Sequence, residues 1–245
     1  MRARAVVPTL AALALVMTAV SLGNWQMRRA DEKRVLQAQR DAADRDPPVH
    51  VPPVDADPAT LDGRRVVASG RFVPQWTVFV DNRTHKGIAG FHVLTPLKMT
   101  GSDRHLLILR GWIARDPRER SRLPELETPT GEVAVEGIAQ RDLERALELG
   151  RSPTPGPQDR LWQNADLAAF AQWSGLAMQP LVVRQTAVSR RGAAEWNDGL
   201  VREWPDPGSG VDKHLGYAFQ WYALAVLAAG LWIRFVAFGR RKTDR

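Results

Sequence analysis

The sequence predicts a membrane protein of the α+β kind, in which two terminal transmembrane helices flank an antiparallel β-rich extramembrane domain. Three observations predict it. Residues 5–27 hold no charged side chain over 23 positions, and residues 215–233 hold none over 19. A bilayer core of roughly 30 Å takes about 20 apolar helical residues. Between these runs, short segments rich in Val, Ile, Leu and Phe recur between turn-forming residues, the pattern of strands. The charge is also partitioned: of a formal +7, residues 1–34 carry +4, residues 213–245 carry +5 and residues 35–212 carry −2. The mean hydropathy of −0.30 thus averages two apolar ends with a polar middle.

The elements follow in chain order. Residues 1–4 are a short N-terminus and 5–27 the first span, with Trp25 at the headgroup level that aromatic rings favour. Arg2, Arg4 and Ala19-Val20-Ser21 also allow a cleaved signal peptide, but the apolar run exceeds a usual signal core. Residues 28–45 continue as a charged helix, which Pro47, Pro48, Pro52, Pro53 and Pro58 stop with an extended linker, so that 28–58 reads as a helical extension and Pro-rich linker. The β-rich domain occupies 59–213. Its strands are expected at 64–72, 77–81, 90–97, 105–113, 132–139 and 180–188. Asp81-Asn82-Arg83 with Lys86-Gly87 reads as a hairpin turn region. One helix is expected from Leu167 to Gly175, capped by Asn164 or Asp166. A second short helix is expected over 142–149, and 152–158 and 203–210 read as linkers. The second span is 214–233, with Tyr217, Trp221 and Trp232 around it. A buried core helix is the alternative, against which Arg234, Arg240, Arg241 and Lys242 supply a basic stop. Residues 234–245 form a basic tail, which the positive-inside rule places in the cytoplasm. With two spans, the N-terminus is then cytoplasmic as well, although Arg28, Arg29, Lys33 and Arg34 fall on the disfavoured side. The middle domain would lie outside, in the periplasm or its equivalent.

Several function classes drop out. With no cysteine there is no disulfide, thiolate metal site or c-type haem attachment. The slightly acidic middle removes the electrostatic basis for nucleic-acid binding. No nucleophile elbow, HExxH, P-loop or GxGxxG occurs, so no catalytic residue is nominated and the chain is expected not to be an enzyme. His92 and His105 lie in strand-like runs that two strands could bring together. His85, in a turn, is expected to be solvated, as are Glu125 and Glu127.

His214 is the last ionisable residue before the second span. At helical spacing it shares a face with Tyr217, Ala218, Trp221 and Ala225, with Gln220 beside it. An imidazole above an aromatic-walled groove suits an axial haem ligand. An interfacial histidine anchored among headgroups fits the same residues. On the first span, Ala11, Ala14, Thr18, Ser21 and Trp25 form a mostly small face that is expected to pack against the second helix.

Motifs spread over nearly the whole chain give a further lead. They are Leu22-Gly23-Asn24-Trp25-Gln26 with Arg29 and Lys33, Gly70-Arg71-Phe72, Asp81-Asn82-Arg83, Gly90 to Leu97, Leu109-Arg110-Gly111-Trp112-Ile113, Gln179-Pro180, and His214-Leu215-Gly216-Tyr217-Ala218-Phe219-Gln220-Trp221-Tyr222. In these the chain resembles the surfeit-locus-protein-1 family of cytochrome c oxidase assembly factors, with Tyr222 where the family carries Phe. The resemblance implies two spans in a bacterial inner membrane and an extracytoplasmic domain. It implies a role in assembling haem-copper oxidase, with subunit I as partner and haem a synthase as a second candidate. It also implies haem a as a transient cofactor, with His214 as ligand to the haem iron and Trp25, Gln26, Tyr217, Gln220 and Trp221 forming the pocket or partner contact. Arg110-Gly111-Trp112 is assigned to the fold. A cofactor-free membrane scaffold that stabilises an oxidase intermediate is the alternative.

Overall fold

A computed structural model describes residues 3–119, 122–143, 156, 158–204 and 210–239. In chain order these form α1 (Ala3–Arg45), β1 (Val49–His50), α2 (Pro58–Leu61), β2 (Arg65–Phe72), a 3-10 turn (Pro74–Trp76), β3 (Val78–His85), β4 (Ile88–Met99), β5 (His105–Ala114), β6 (Val133–Gln140), β7 (Leu161–Trp162), α3 (Leu167–Ser174), β8 (Met178–Gln185), β9 (Ser189–Arg191), β10 (Ala194–Trp196) and α4 (Val211–Gly239). They group into two compact units, one of residues 1–41 with 205–245 and the other of residues 42–204. The short helix expected over 142–149 lies almost wholly outside the described residues, as do most of the linker at 152–158 and residues 205–209.

The second unit is built on a closed barrel. β2 pairs with β4, β4 with β5, β5 with β8, β8 with β6, and β6 returns to β2. Numbered along the chain, the five staves stand in the order first, second, third, fifth, fourth. All pairings are antiparallel except β5 with β8. This is the strand order and sense of an OB-type Greek-key barrel. The sequence predicts each stave to within three residues but not the parallel pairs, which also include β1–β2 and β3–β7. Inward-facing residues alternate along the staves and fill the barrel, among them Val66, Ala68, Leu97, Leu106, Ile108, Val135, Leu181 and Val183.

Two local rules shape the sheet. β4 changes partner along one edge, from β3 up to Leu94 to β2 from Leu97 onward. Pro96 sits at that change, where a residue without an N–H costs no ladder bond. The β3–β4 hairpin turns on Lys86 and Gly87 alone, at φ of 49° and 82°, the two-residue turn whose twist suits adjoining strands. Asp81-Asn82-Arg83 is therefore not in the turn. It is a bulge inside β3, where the register slips between Val80 and Arg83 and Asn82 takes φ 57°.

Outside the barrel, α3 begins at Asp166, whose carboxylate accepts from the Ala169 N–H at 2.7 Å, and ends at left-handed Gly175. Its Phe170, with Trp162, packs over Val80, Leu94 and Leu109 on the β3–β4–β5 face. The proline segment is docked on this unit. Gln179 is fully buried, accepts from the Ala56 N–H at 3.0 Å, and donates to the carbonyls of Pro52 and Val54.

The Arg110-Gly111-Trp112 motif closes the unit. Arg110 is buried among the Asp198 carboxylate at 2.8 Å, Thr128 and the Glu127 carbonyl. A Cβ at Gly111 would stand 2.7 Å from that of Leu200, so glycine is what lets the 197–202 segment approach. Trp112 exchanges both backbone bonds with Val201 and donates its indole N–H to the Arg83 carbonyl.

The first unit is an antiparallel pair, α1 with α4. Both helices are long and apolar enough to cross a membrane, and their most apolar stretches are only 11% buried.

Candidate functional site

The histidines of the β-rich unit do not assemble a site. His92 stands opposite Trp112 and His105 opposite Lys98, at distant points of the β4–β5 ladder, so the two strands hold them apart. Among the described residues no cluster of three metal-ligating side chains forms. His85 is not solvated. It is half-buried against Trp112, with ring centroids 5.2 Å apart, and its Nε2 lies 3.5 Å from Glu203. His92 packs under Trp204, and burial, aided by Arg83 and Arg184, pushes it down to about 4. Glu125 and Glu127 are exposed, as expected.

The helix pair is different. The contact stripe of α1 runs through Ala12, Val16, Ala19, Gly23, Gln26 and Ala30. That of α4 runs through His214, Ala218, Trp221, Ala225, Ala228 and Trp232. Ala19, Ala30, Ala218 and Ala225 are buried to 5% exposure or less. Small residues let the backbones approach where lipid supplies no hydrophobic drive. The expected α1 face of Ala11, Ala14, Thr18, Ser21 and Trp25 instead points outward. Alanine occurs on both sides of this helix, so smallness alone could not choose the face.

Polar bonds among the described residues cross the stripe. His214 Nδ1 lies 2.6 Å from Gln26 Oε1. The Tyr222 hydroxyl donates to Asn24 Oδ1 at 2.7 Å, and the Trp232 indole N–H to Thr9 Oγ1 at 3.1 Å. Gly23 is the socket for Tyr222, since a Cβ there would stand 2.6 Å from the ring. Asn24 and Gly23 therefore belong to the site region, although only their place in a motif pointed to them.

Both stripes alternate steps of three and four residues. In an antiparallel pair of that kind, the positions just before the first residue of each three-step meet on one flank. These are Leu15, Leu22 and Arg29 on α1 and Tyr217, Leu224 and Leu231 on α4. Trp25 and Gln220 lie one step further round the same flank. Of the six residues nominated from sequence, the fold bonds Gln26 to His214, half-buries Trp221 beside them, and leaves Trp25, Tyr217 and Gln220 exposed on that common flank. Gln26 Oε1 as acceptor puts the imidazole proton on Nδ1. That leaves the Nε2 lone pair, for which no partner occurs among the described residues. An imidazole oriented through its other nitrogen, with no carboxylate on its stripe, is chemically suited to ligate a haem iron.

Comparison with known proteins bears on the family of the chain. The chain matches the model of the SURF1 family over residues 13–226. It is 25% identical to a SURF1-like protein of Dictyostelium discoideum, over 89% of this chain and 92% of that one. It is 24% identical to Surfeit locus protein 1 of Rattus norvegicus, over 89% of this chain and 72% of that one. It is 29% identical to the cytochrome oxidase assembly protein SHY1 of Saccharomyces cerevisiae, over 63% of this chain and 40% of that one.

Proposed function

The chain belongs to the SURF1 family, and from that premise we propose that it is a membrane-anchored, non-enzymatic assembly factor for haem-copper oxidase. In this reading it holds haem a through His214 Nε2 and assists insertion of the haem into subunit I. The relative named as a cytochrome oxidase assembly protein supports the oxidase role. The 2.6 Å bond between His214 Nδ1 and Gln26 Oε1 carries the ligand assignment. Gln26 orients the ring, Trp221 borders it, and Trp25, Tyr217 and Gln220 edge the open flank from which a planar ligand and the receiving subunit approach. The haem itself would supply the prosthetic group that the oxidase requires.

In the same reading α1 and α4 cross a bacterial inner membrane, with both termini cytoplasmic and the barrel unit outside. The basic C-terminal tail supports that orientation. Haem a synthase is a candidate donor. A cofactor-free scaffold is the second reading, favoured by the apolar outer faces of the helices, where Phe219 and Val226 are 74% and 73% exposed.

Complementation separates the two. In cells lacking the protein, a His214→Ala copy is expected to leave subunit I made but poor in haem a. Full haem content with that variant would exclude the haem role and favour the scaffold. Loss of the association between protein and subunit I in the same variant would count against the scaffold.

A further inference from the structure

The flank that carries the candidate site continues along the helix pair and ends in an apolar groove of about 270 Å³. There Pro8, Ala12 and Leu15 of α1 face Ala228, Leu231 and Phe235 of α4. The Trp232 indole, bonded to Thr9, stands in its wall. Leu15 and Leu231 are the same flank positions that Leu22 and Tyr217 occupy beside His214. The groove therefore lies on the same flank of the helix pair as the candidate site, and no ionisable side chain lines it.

Ala228 and Leu231 lie 14 and 17 residues beyond His214 on one unbroken helix, or about 21 to 26 Å at ~1.5 Å per residue. That separation suits one kind of haem substituent. A farnesyl-length chain hung from a porphyrin edge reaches on the order of 20 Å from the iron, with carbon–carbon bonds of about 1.5 Å. The vinyl and methyl groups of haem b do not approach it.

Resting on the proposed ligation by His214, we infer that this groove receives the isoprenoid tail of the bound haem. The groove thus makes the chain selective for tailed haems. Packing against fixed side chains, rather than escape from water, supplies the preference, because lipid is as apolar as the groove.

The test is titration of the full chain in lipid nanodiscs, followed by absorbance, with haem o and haem b as probes. They differ in the tail, and neither carries a formyl group. Haem o is expected to bind about tenfold more tightly than haem b. Leu231→Trp, which fills the groove from its exposed rim and lies outside the helix contact stripe, should remove that preference and leave haem b binding unchanged. Leu231→Ala, which adds no bulk, should weaken haem o alone, and Ala223→Leu on the exposed face should change neither. Equal affinities, or a preference that survives both groove variants, would overturn the tail groove and leave the histidine assignment standing. Failure of either haem to bind, or binding that ignores His214→Ala, would overturn both.

Discussion

Gly23 and Tyr222 show how one residue sets the spacing of the helix pair. The ring occupies the space a side chain at Gly23 would need. Gly23→Leu is therefore expected to part the helices, seen as loss of a crosslink between cysteines introduced at Ala19 and Ala225. Tyr222→Phe removes only the bond to Asn24 and should cost about 0.6 kcal/mol, the usual size of such a bond between membrane helices. His92 carries a different consequence. Its imidazole is held neutral, near 4 against an ordinary value of about 6.5. The resulting stability is complete above about pH 6.5, declines as pH falls through that value, and is fully lost below about 4, for a total of about 3 kcal/mol. Denaturant unfolding of the full chain at pH 7 and pH 5 should show the loss, and His92→Gln should flatten it. An equal slope in that variant would assign the pH dependence to another group.

Arg110, Asp198 and Arg202 act together at the scale of elements, tying the segment after β10 to stave β5. Arg110 and Asp198 have side chains with no exposure, and Asp198 accepts from both arginines. Asp198→Ala strands two guanidinium groups and should cost about 3–5 kcal/mol, measured as a lower denaturation midpoint followed by tryptophan fluorescence. A loss below 1 kcal/mol would mean that water reaches the pair. Not all of these elements were legible in the chain. The staves showed because hydrophobic residues recur at strand period between turn formers. β1, β7, β9 and β10 are two or three residues long, too short to carry a period, and exist because a longer neighbour offers an edge. The helix contact face was hidden for the opposite reason: small residues lie all round α1, and only its partner selects Ala12, Ala19 and Gly23. Gln26 and His214 were nominated from the motifs, but their bond depends on the register of two segments 188 residues apart.

For the whole molecule, the partition of charge and apolar length described the architecture before any contact was known. A β-rich chain of slightly acidic middle hangs between two ends able to cross a bilayer. The absence of cysteine makes the topology directly testable. A single cysteine at exposed Glu125 should react with a membrane-impermeant maleimide in cells with a permeabilised outer membrane and an intact inner membrane. Protection there would reverse the proposed orientation. In the proposed function the barrel is the external body and the haem site lies in the helix pair, where His214 meets Gln26. The most direct measurement is the optical spectrum of the full chain purified from cells that make haem a. Wild type is expected to carry haem a absorbance, which is lost in His214→Ala and shifted but retained in Gln26→Leu. A haem-free wild type, or a His214→Ala spectrum identical to that of wild type, would contradict the account.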